Sequence, residues 1–216
     1  MPEAPVRHGG RPSRSESEKI EGRILEIATA LFFRHGFAAT SMEQVAAAAH
    51  VSKRTLYARF HDKAALFRGV VDCRIDLWRA AFSARIGRSQ TLAASLKEAA
   101  EGILQVALAP DALALHRMVI AEAERFPELA HALSAAGGYG IEWLVDLLRR
   151  SPELGALPPD TLAFAAEQFL MLVVSAPRRR ALGLGQPLDE AGLAAWAEQS
   201  VALFLDGARR LGAQPE

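Results

Sequence analysis

The chain has 216 residues, half of them hydrophobic, with 25 basic and 25 acidic side chains and a formal net charge of zero. That length and apolar content allow a sizeable buried core in one or two domains, while one cysteine excludes an internal disulfide and no run approaches the roughly 18 to 20 apolar residues of a membrane span. Neutrality argues at first against nucleic acid, but the charge is uneven: residues 1–68 hold 11 Lys and Arg against 7 Asp and Glu, a balance of +4, and the remainder holds 14 against 18, a balance of −4.

Residues 1–14 gather Arg7, His8, Arg11 and Arg14 among Gly, Pro and Ser. This composition predicts a disordered basic arm with no signal-peptide character, either reaching a minor groove or trailing as a weakly interacting tail. A first helix fits residues 17–35, with Ile20, Ile24, Ile27 and Leu31 along one face and Gly36 as its stop.

Residues 36–66, GFAATSMEQVAAAAHVSKRTLYARFHDKAAL, read as two short helices joined by a tight turn. Thr40 and Glu43 have the spacing of a capping box, which predicts a helix over about residues 41–49 with Met42, Val45, Ala46 and Ala49 inward. His50 stands where the turn needs positive φ, Val51 plugs the core beneath it, and Ser52 caps a helix over residues 53–60 that buries Leu56 and Phe60.

The opposite side of that helix carries Lys53, Arg54, Thr55, Tyr57 and Arg59. Arg can pair bidentately with guanine, a Thr methyl can touch a thymine methyl, and a Tyr hydroxyl suits a phosphate oxygen. Asp62 can cap the next helix, whose Lys63 reads as a phosphate clamp. With Thr40 and Ser52 at the two helix starts, these residues form a candidate surface for the DNA major groove. A lone charge run is usually a solvated helix face, but here caps, turn and buried pair agree over some thirty residues.

Helix four starts at Lys63 and keeps Phe67, Val70, Val71, Leu77, Trp78, Ala81 and Phe82 at helical spacing to about residue 85; Cys73 on it reads as a small core residue. Leu92, Leu96, Ala99, Ile103 and Val106 mark a fifth helix, and Pro110-Asp111 opens a sixth. Pro127 begins another, which the Gly137-Gly138-Tyr139-Gly140 cluster is expected to loosen before Trp143, Leu144, Leu147 and Leu148 resume the stripe. Pro158-Pro159-Asp160 and Pro187-Leu188-Asp189 each announce a further helix. There is no strand alternation and no internal repeat. The prediction is an all-α protein of about nine helices, with a three-helix head over residues 15–67 and a larger body over residues 68–212.

The first third of the chain resembles the DNA-binding domain of the TetR family of bacterial transcriptional regulators. The matching residues are Gly36-Phe37, Thr40, Val45-Ala46, Ala49, Val51-Ser52, Thr55-Leu56-Tyr57, Phe60, Lys63 and Leu66. His50 in place of the turn Gly and Ala64 in place of a common acidic residue depart from the pattern. The segment RMVIAEAERFPELA is similar to the AefR-like or AcrR-like branch. That resemblance implies a homodimer through the last two helices, here residues 160–175 and 189–210. Leu162, Ala165, Ala166, Phe169 and Val173 on one, and Leu193, Trp196, Val201, Phe204 and Leu205 on the other, either meet a second copy or face their own core.

The resemblance also implies an inducer pocket among the middle helices. Trp78, Phe82, His116 and Met118 are candidates from its first half, and Phe126, Tyr139, Trp143 and Met171 from its second. Such a lining suits a mostly apolar ligand, although each residue is also ordinary core material.

Glu128 and His131 have the Glu-x-x-His spacing of carboxylate di-iron bundles, but the chain lacks the second such pair those sites need. No phosphate loop, dinucleotide fingerprint, CxxC pair or nucleophile elbow is present. Neither catalysis nor a cofactor or metal is expected. The favoured reading is a cytoplasmic, ligand-responsive repressor that binds a double-stranded DNA operator as a homodimer and is released by an unknown inducer. The alternative is a DNA-bound interaction protein that recruits a partner and needs no small molecule.

Overall fold

The computed structural model describes residues 14–83, 89 and 91–211, with the side chains of residues 14, 81–83, 135 and 136 also outside what is described. The expected basic arm therefore lies outside the described residues. The chain divides into two compact units, residues 1–70 and 71–216. Among the described residues there are nine α-helices and no strand.

In the first unit, α1 (Arg14–Ala39) is interrupted at Gly36, whose φ of +80° lies in the left-handed region where a side chain is strained. The buried face of α1 is Ile24, Ala28 and Phe32; Ile20, Ile27 and Leu31, expected inward, are only half-buried. The reason is aromatic. Phe32, Phe37 and Phe67 form a triad with ring centroids 5.5–5.8 Å apart, which turns the four-residue repeat ending at Phe32 toward the core. Such pairs each add about 0.5–1.5 kcal/mol beyond the area they bury.

Helices α2 (Met42–Ala48) and α3 (Lys53–Tyr57) close over this triad with Met42, Val45, Ala46, Ala49, Leu56 and Phe60 buried. Helix α4 (Lys63–Ser83) carries the chain onward. On it, Gly69 is needed for close approach: a Cβ there would fall 2.9 Å from the Phe60 ring and 3.0 Å from Leu25.

The second unit contains α5 (Leu92–Ala107), α6 (Pro110–Glu122), α7 (Pro127–Arg149), α8 (Pro159–Ala181) and α9 (Glu190–Leu211). Its core layers Leu96, Ala99 and Leu104 of α5 against Leu144 and Leu148 of α7, and Leu162, Ala166, Phe169 and Val173 of α8 against Ala197, Val201 and Phe204 of α9. Alanines at the crossings let the helices approach closely, and Phe169 meets Phe204 edge-on at 5.0 Å.

Helix α7 runs unbroken through Gly137, Gly138 and Gly140, contrary to expectation. Glycine inside a helix costs about 1 kcal/mol against alanine, which a helix anchored by buried Leu129, Leu144 and Leu148 absorbs. Helix α8 holds Pro177 in its interior. Proline has no N–H to offer the carbonyl four residues earlier, that of Val173; the Trp196 indole N–H donates to this oxygen instead, at 3.0 Å. The irregularity in one helix is thus completed by a side chain of the next.

The ten residues singled out on α8 and α9 face their own subunit's core, fully or in part. A different stripe is exposed: Phe164 (53%) and Met171 on α8, with Leu203 (64%) on α9. No single helix among the described residues is long and apolar enough to cross a membrane; α5 and α6 meet that measure only as a pair bent by 66°.

Candidate functional site

Helix α2 starts at Ser41, not Thr40. The Ser41 hydroxyl accepts from the Gln44 N–H (3.2 Å), and the Gln44 side chain accepts from the Ser41 N–H (2.8 Å), a reciprocal capping box one residue later than the Thr40/Glu43 frame. The sequence holds both frames; burial chooses between them. Thr40 is 1% exposed, and its hydroxyl donates to the Gly36 carbonyl at 2.9 Å, satisfying the backbone where α1 breaks. It belongs to the joint beneath the site and offers no surface to DNA.

The turn follows a defined pattern. His50 has φ +53°, its N–H donates to the Ala47 carbonyl (3.2 Å), and the Val51 N–H reaches back to Ala46 (3.0 Å). These are the two bonds of a Schellman end, with His50 in the place glycine usually fills. Val51 is half-buried. Ser52 then caps α3, its hydroxyl accepting from the Thr55 N–H at 3.0 Å and lying 2.8 Å from the Thr55 hydroxyl. Lys53 reaches back to Glu43 at 3.3 Å, tying α3 to α2. The Glu43 carboxyl is held below its usual pKa by its own backbone N–H first and by Lys53 second.

Two of the basic candidates are occupied inside the unit. Lys63 donates to three backbone carbonyls, Phe37 (2.9 Å), Ala38 (3.2 Å) and Thr40 (3.0 Å), and its ammonium lies 4.5 Å from the Phe37 ring centroid. It closes the end of α1, where a cation also suits the helix dipole. A phosphate would have to compete with all three oxygens. Arg59 donates to the Ser17 hydroxyl at 2.9 Å and lies against α1. What α3 presents outward is Lys53, Arg54 and Tyr57, with Ser52 and Thr55 at its start. Among the described residues, the side chains of Arg54 and Tyr57 have no hydrogen-bond or ion-pair partner.

The candidate pocket residues of the second unit do not converge. Met118 is core, Trp78 and Phe126 are half-buried, Trp143 packs beside the core, Met171 is exposed, and the Phe82 side chain lies outside the described residues. Tyr139 is exposed beneath the Arg79 guanidinium, 3.5 Å from its ring centroid. His116 lines an open cleft of about 460 Å³ between α6 and the end of α8.

Arg117, Ile120 and Ala121 join His116 on the α6 side of this cleft; Ser175, Arg178 and Arg179 face them from α8, with Leu182 and Leu184 beyond. The basic lining of this cleft differs from the mostly apolar one that the resemblance implies. The run Arg178-Arg179-Arg180 carries this signal in the sequence, where it reads as an ordinary cationic helix end. Among the described residues, no group of three or more His, Cys, Asp or Glu could hold a metal, and Glu128 and His131 gain no further ligand.

The first unit is therefore a helix-turn-helix with an exposed, basic second helix, the architecture of a DNA-binding regulator. Family models match both parts of the chain: "Bacterial regulatory proteins, tetR family" over residues 24–70, and "AefR-like transcriptional repressor, C-terminal domain" over residues 94–207. The flavonoid-responsive regulator FrrA is 31% identical, with a TM-score of 0.74 over 88% of this chain and 97% of that one. A TetR-family regulator from Mesorhizobium loti is 26% identical, with a TM-score of 0.74 over 91% and 98%. The HTH-type transcriptional repressor ComR of Escherichia coli is 40% identical over 62 residues, 29% of this chain and 30% of that protein, so the match spans under a third of the curated relative. The chain belongs to the TetR family of bacterial regulatory proteins, in its AefR-like branch.

Proposed function

We propose that the protein is a ligand-responsive transcriptional repressor that binds a pseudo-palindromic operator as a homodimer. The observation that carries this reading is the outward face of α3, where Arg54 and Tyr57 stand exposed and without partners on a helix capped and braced at both ends. Arg54 reads a base edge, Thr55 and Lys53 flank it, and Tyr57 sets register on a phosphate. Two such helices in a dimer enter successive major grooves about one helical turn apart.

The dimer forms through the exposed stripe of Phe164, Met171 and Leu203 on α8 and α9, apolar side chains of a size that a monomer gains by covering. An effector bound to the second unit prefers a state in which the two heads no longer match the groove spacing. Operator affinity then falls by that preference, typically about 1–3 kcal/mol. The similarity to FrrA, a flavonoid-responsive regulator, supports a ligand-gated reading.

Selection of the purified protein against a random duplex pool tests the proposal. Enrichment of a palindrome whose affinity falls steeply with salt is the expected result. Recovery of no preferred sequence would overturn it in favour of loose binding and partner recruitment.

A further inference from the structure

The cleft between α6 and α8 has an inverted order of side chains. Arginine ordinarily lays its aliphatic stem on apolar surface and extends its charge into water. Here Arg178 and His116 are drawn in, while Ile120 and Leu184, both apolar, are 66% exposed. Burial lowers the Arg178 pKa, as expected of a guanidinium partly removed from water. Among the described residues no carboxylate pairs with it, and none pairs with Arg117 or Arg179 beside it. A cation withdrawn from water is costly unless an anion compensates it. Nothing described within the fold does so.

We propose that this cleft binds an organic anion with an apolar body, a carboxylate on a hydrocarbon or aryl frame, as the effector of the reading above. The carboxylate pairs with the Arg178 guanidinium, whose planar fork matches two carboxylate oxygens. Ser175, one turn earlier on α8, offers a hydroxyl to the same group, and Arg117 and Arg179 supply the surrounding positive field. The apolar body then covers Ile120 and Leu184, removing from water the two side chains that the fold leaves out. A volume of about 460 Å³ suits a molecule of roughly ten to fifteen heavy atoms. The His116 pKa, held below its ordinary value by burial first and by the Arg178 charge second, should rise once the anion arrives.

Calorimetric titration of the full-length protein with octanoate, octanol and acetate tests the ligand class. Octanoate is expected to bind measurably, and octanol and acetate at least about tenfold more weakly, because each lacks one of the two matched parts. Arg178→Met keeps the aliphatic stem and should weaken octanoate by at least about tenfold. Should that variant fold poorly, Leu184→Glu at an exposed position should produce the same loss by repelling the anion. Octanoate binding unaltered by both substitutions, or octanol binding as tightly as octanoate, would overturn the site.

Operator affinity measured with and without octanoate separates the two claims. Binding that leaves DNA affinity unchanged refutes the effector role and keeps the anion site. Loss of operator recognition in the ligand-free protein refutes the regulatory reading and leaves the cleft's titration intact.

Discussion

The bond from the Trp196 indole to the Val173 carbonyl predicts a specific non-additivity between Trp196 and Pro177. Pro177 removes the N–H that would otherwise serve the Val173 oxygen, and the 3.0 Å indole bond takes its place. In the native background, Trp196→Phe strands a carbonyl beside the fully buried Val173. Leaving such a group unsatisfied costs about 1–3 kcal/mol. The smaller ring adds about 1 kcal/mol of lost packing. The Arg180 guanidinium, 5.8 Å from the indole, keeps an aromatic face in the variant and contributes little to the difference.

In a Pro177→Ala background the helix supplies its own N–H to Val173, so Trp196→Phe should cost about 1 kcal/mol of packing alone. The expected coupling is therefore about 1–3 kcal/mol, with the tryptophan mattering more when proline is present. Urea unfolding of the four proteins, followed by far-UV circular dichroism at one protomer concentration, measures it. Additive costs would refute the idea that the indole stands in for the missing helix bond.

Four further outcomes follow from the same geometry. Lys63→Met should destabilise the first unit by about 1.5–3 kcal/mol in denaturant titration, because three carbonyls lose a cationic donor; an unchanged midpoint would return Lys63 to the role of a phosphate clamp. Arg54→Ala should relax base preference at one operator position, whereas Tyr57→Phe should weaken all sequences alike, both read by competition binding on operator variants. Phe164→Glu should shift the protein toward monomer in sedimentation and abolish tight operator binding; a persisting dimer would move the interface elsewhere.

The fourth concerns pH. The His116 pKa lies below 6.5, first through burial and then through Arg178, and the groups facing it across the cleft are themselves cationic. The unfolded chain therefore takes up this proton at higher pH than the fold does. Stability should fall as pH drops below the ordinary imidazole value and level off beneath the depressed one. His116→Gln should remove that part of the acid-side loss, seen as a smaller fall in melting temperature on acidification than the wild-type protein shows.

The fold class was legible because caps and breakers are local. Ser52 and Asp62 mark helix starts through bonds made within one turn, Pro110, Pro127 and Pro159 mark them through a fixed φ suited to the first helical turn, and Gly36 marks a break through its own φ. Helix-face assignments were less secure wherever a tertiary contact outweighed periodicity. The Phe32-Phe37-Phe67 triad rotates α1 away from the isoleucine stripe, and nothing near residue 32 announces Phe67. Thr40 illustrates the same limit: Thr and Ser are both N-cap residues in sequence, and the packing beneath Gly36 makes Ser41 the cap and Thr40 the buried joint.

Charged residues are the harder case, because a side chain's type does not specify its partner. Lys63 and Arg54 are both basic residues of the helix-turn-helix, yet one is held by three carbonyls and the other is free among the described residues. The run Arg178-Arg179-Arg180 makes the point within three positions. Successive residues on a helix are turned by about 100°. Arg180 accordingly lies toward Trp196 while Arg178 and Arg179 line the cleft opposite α6. As a motif the run reads as a cationic helix end. In the fold it divides between a brace on the core of the second unit and an uncompensated charge beside His116. That uncompensated charge makes the cleft a better candidate for an effector than the scattered aromatic residues of the second unit. An aromatic ring in a core has already found its neighbours; a guanidinium withdrawn from water without a described carboxylate still lacks one.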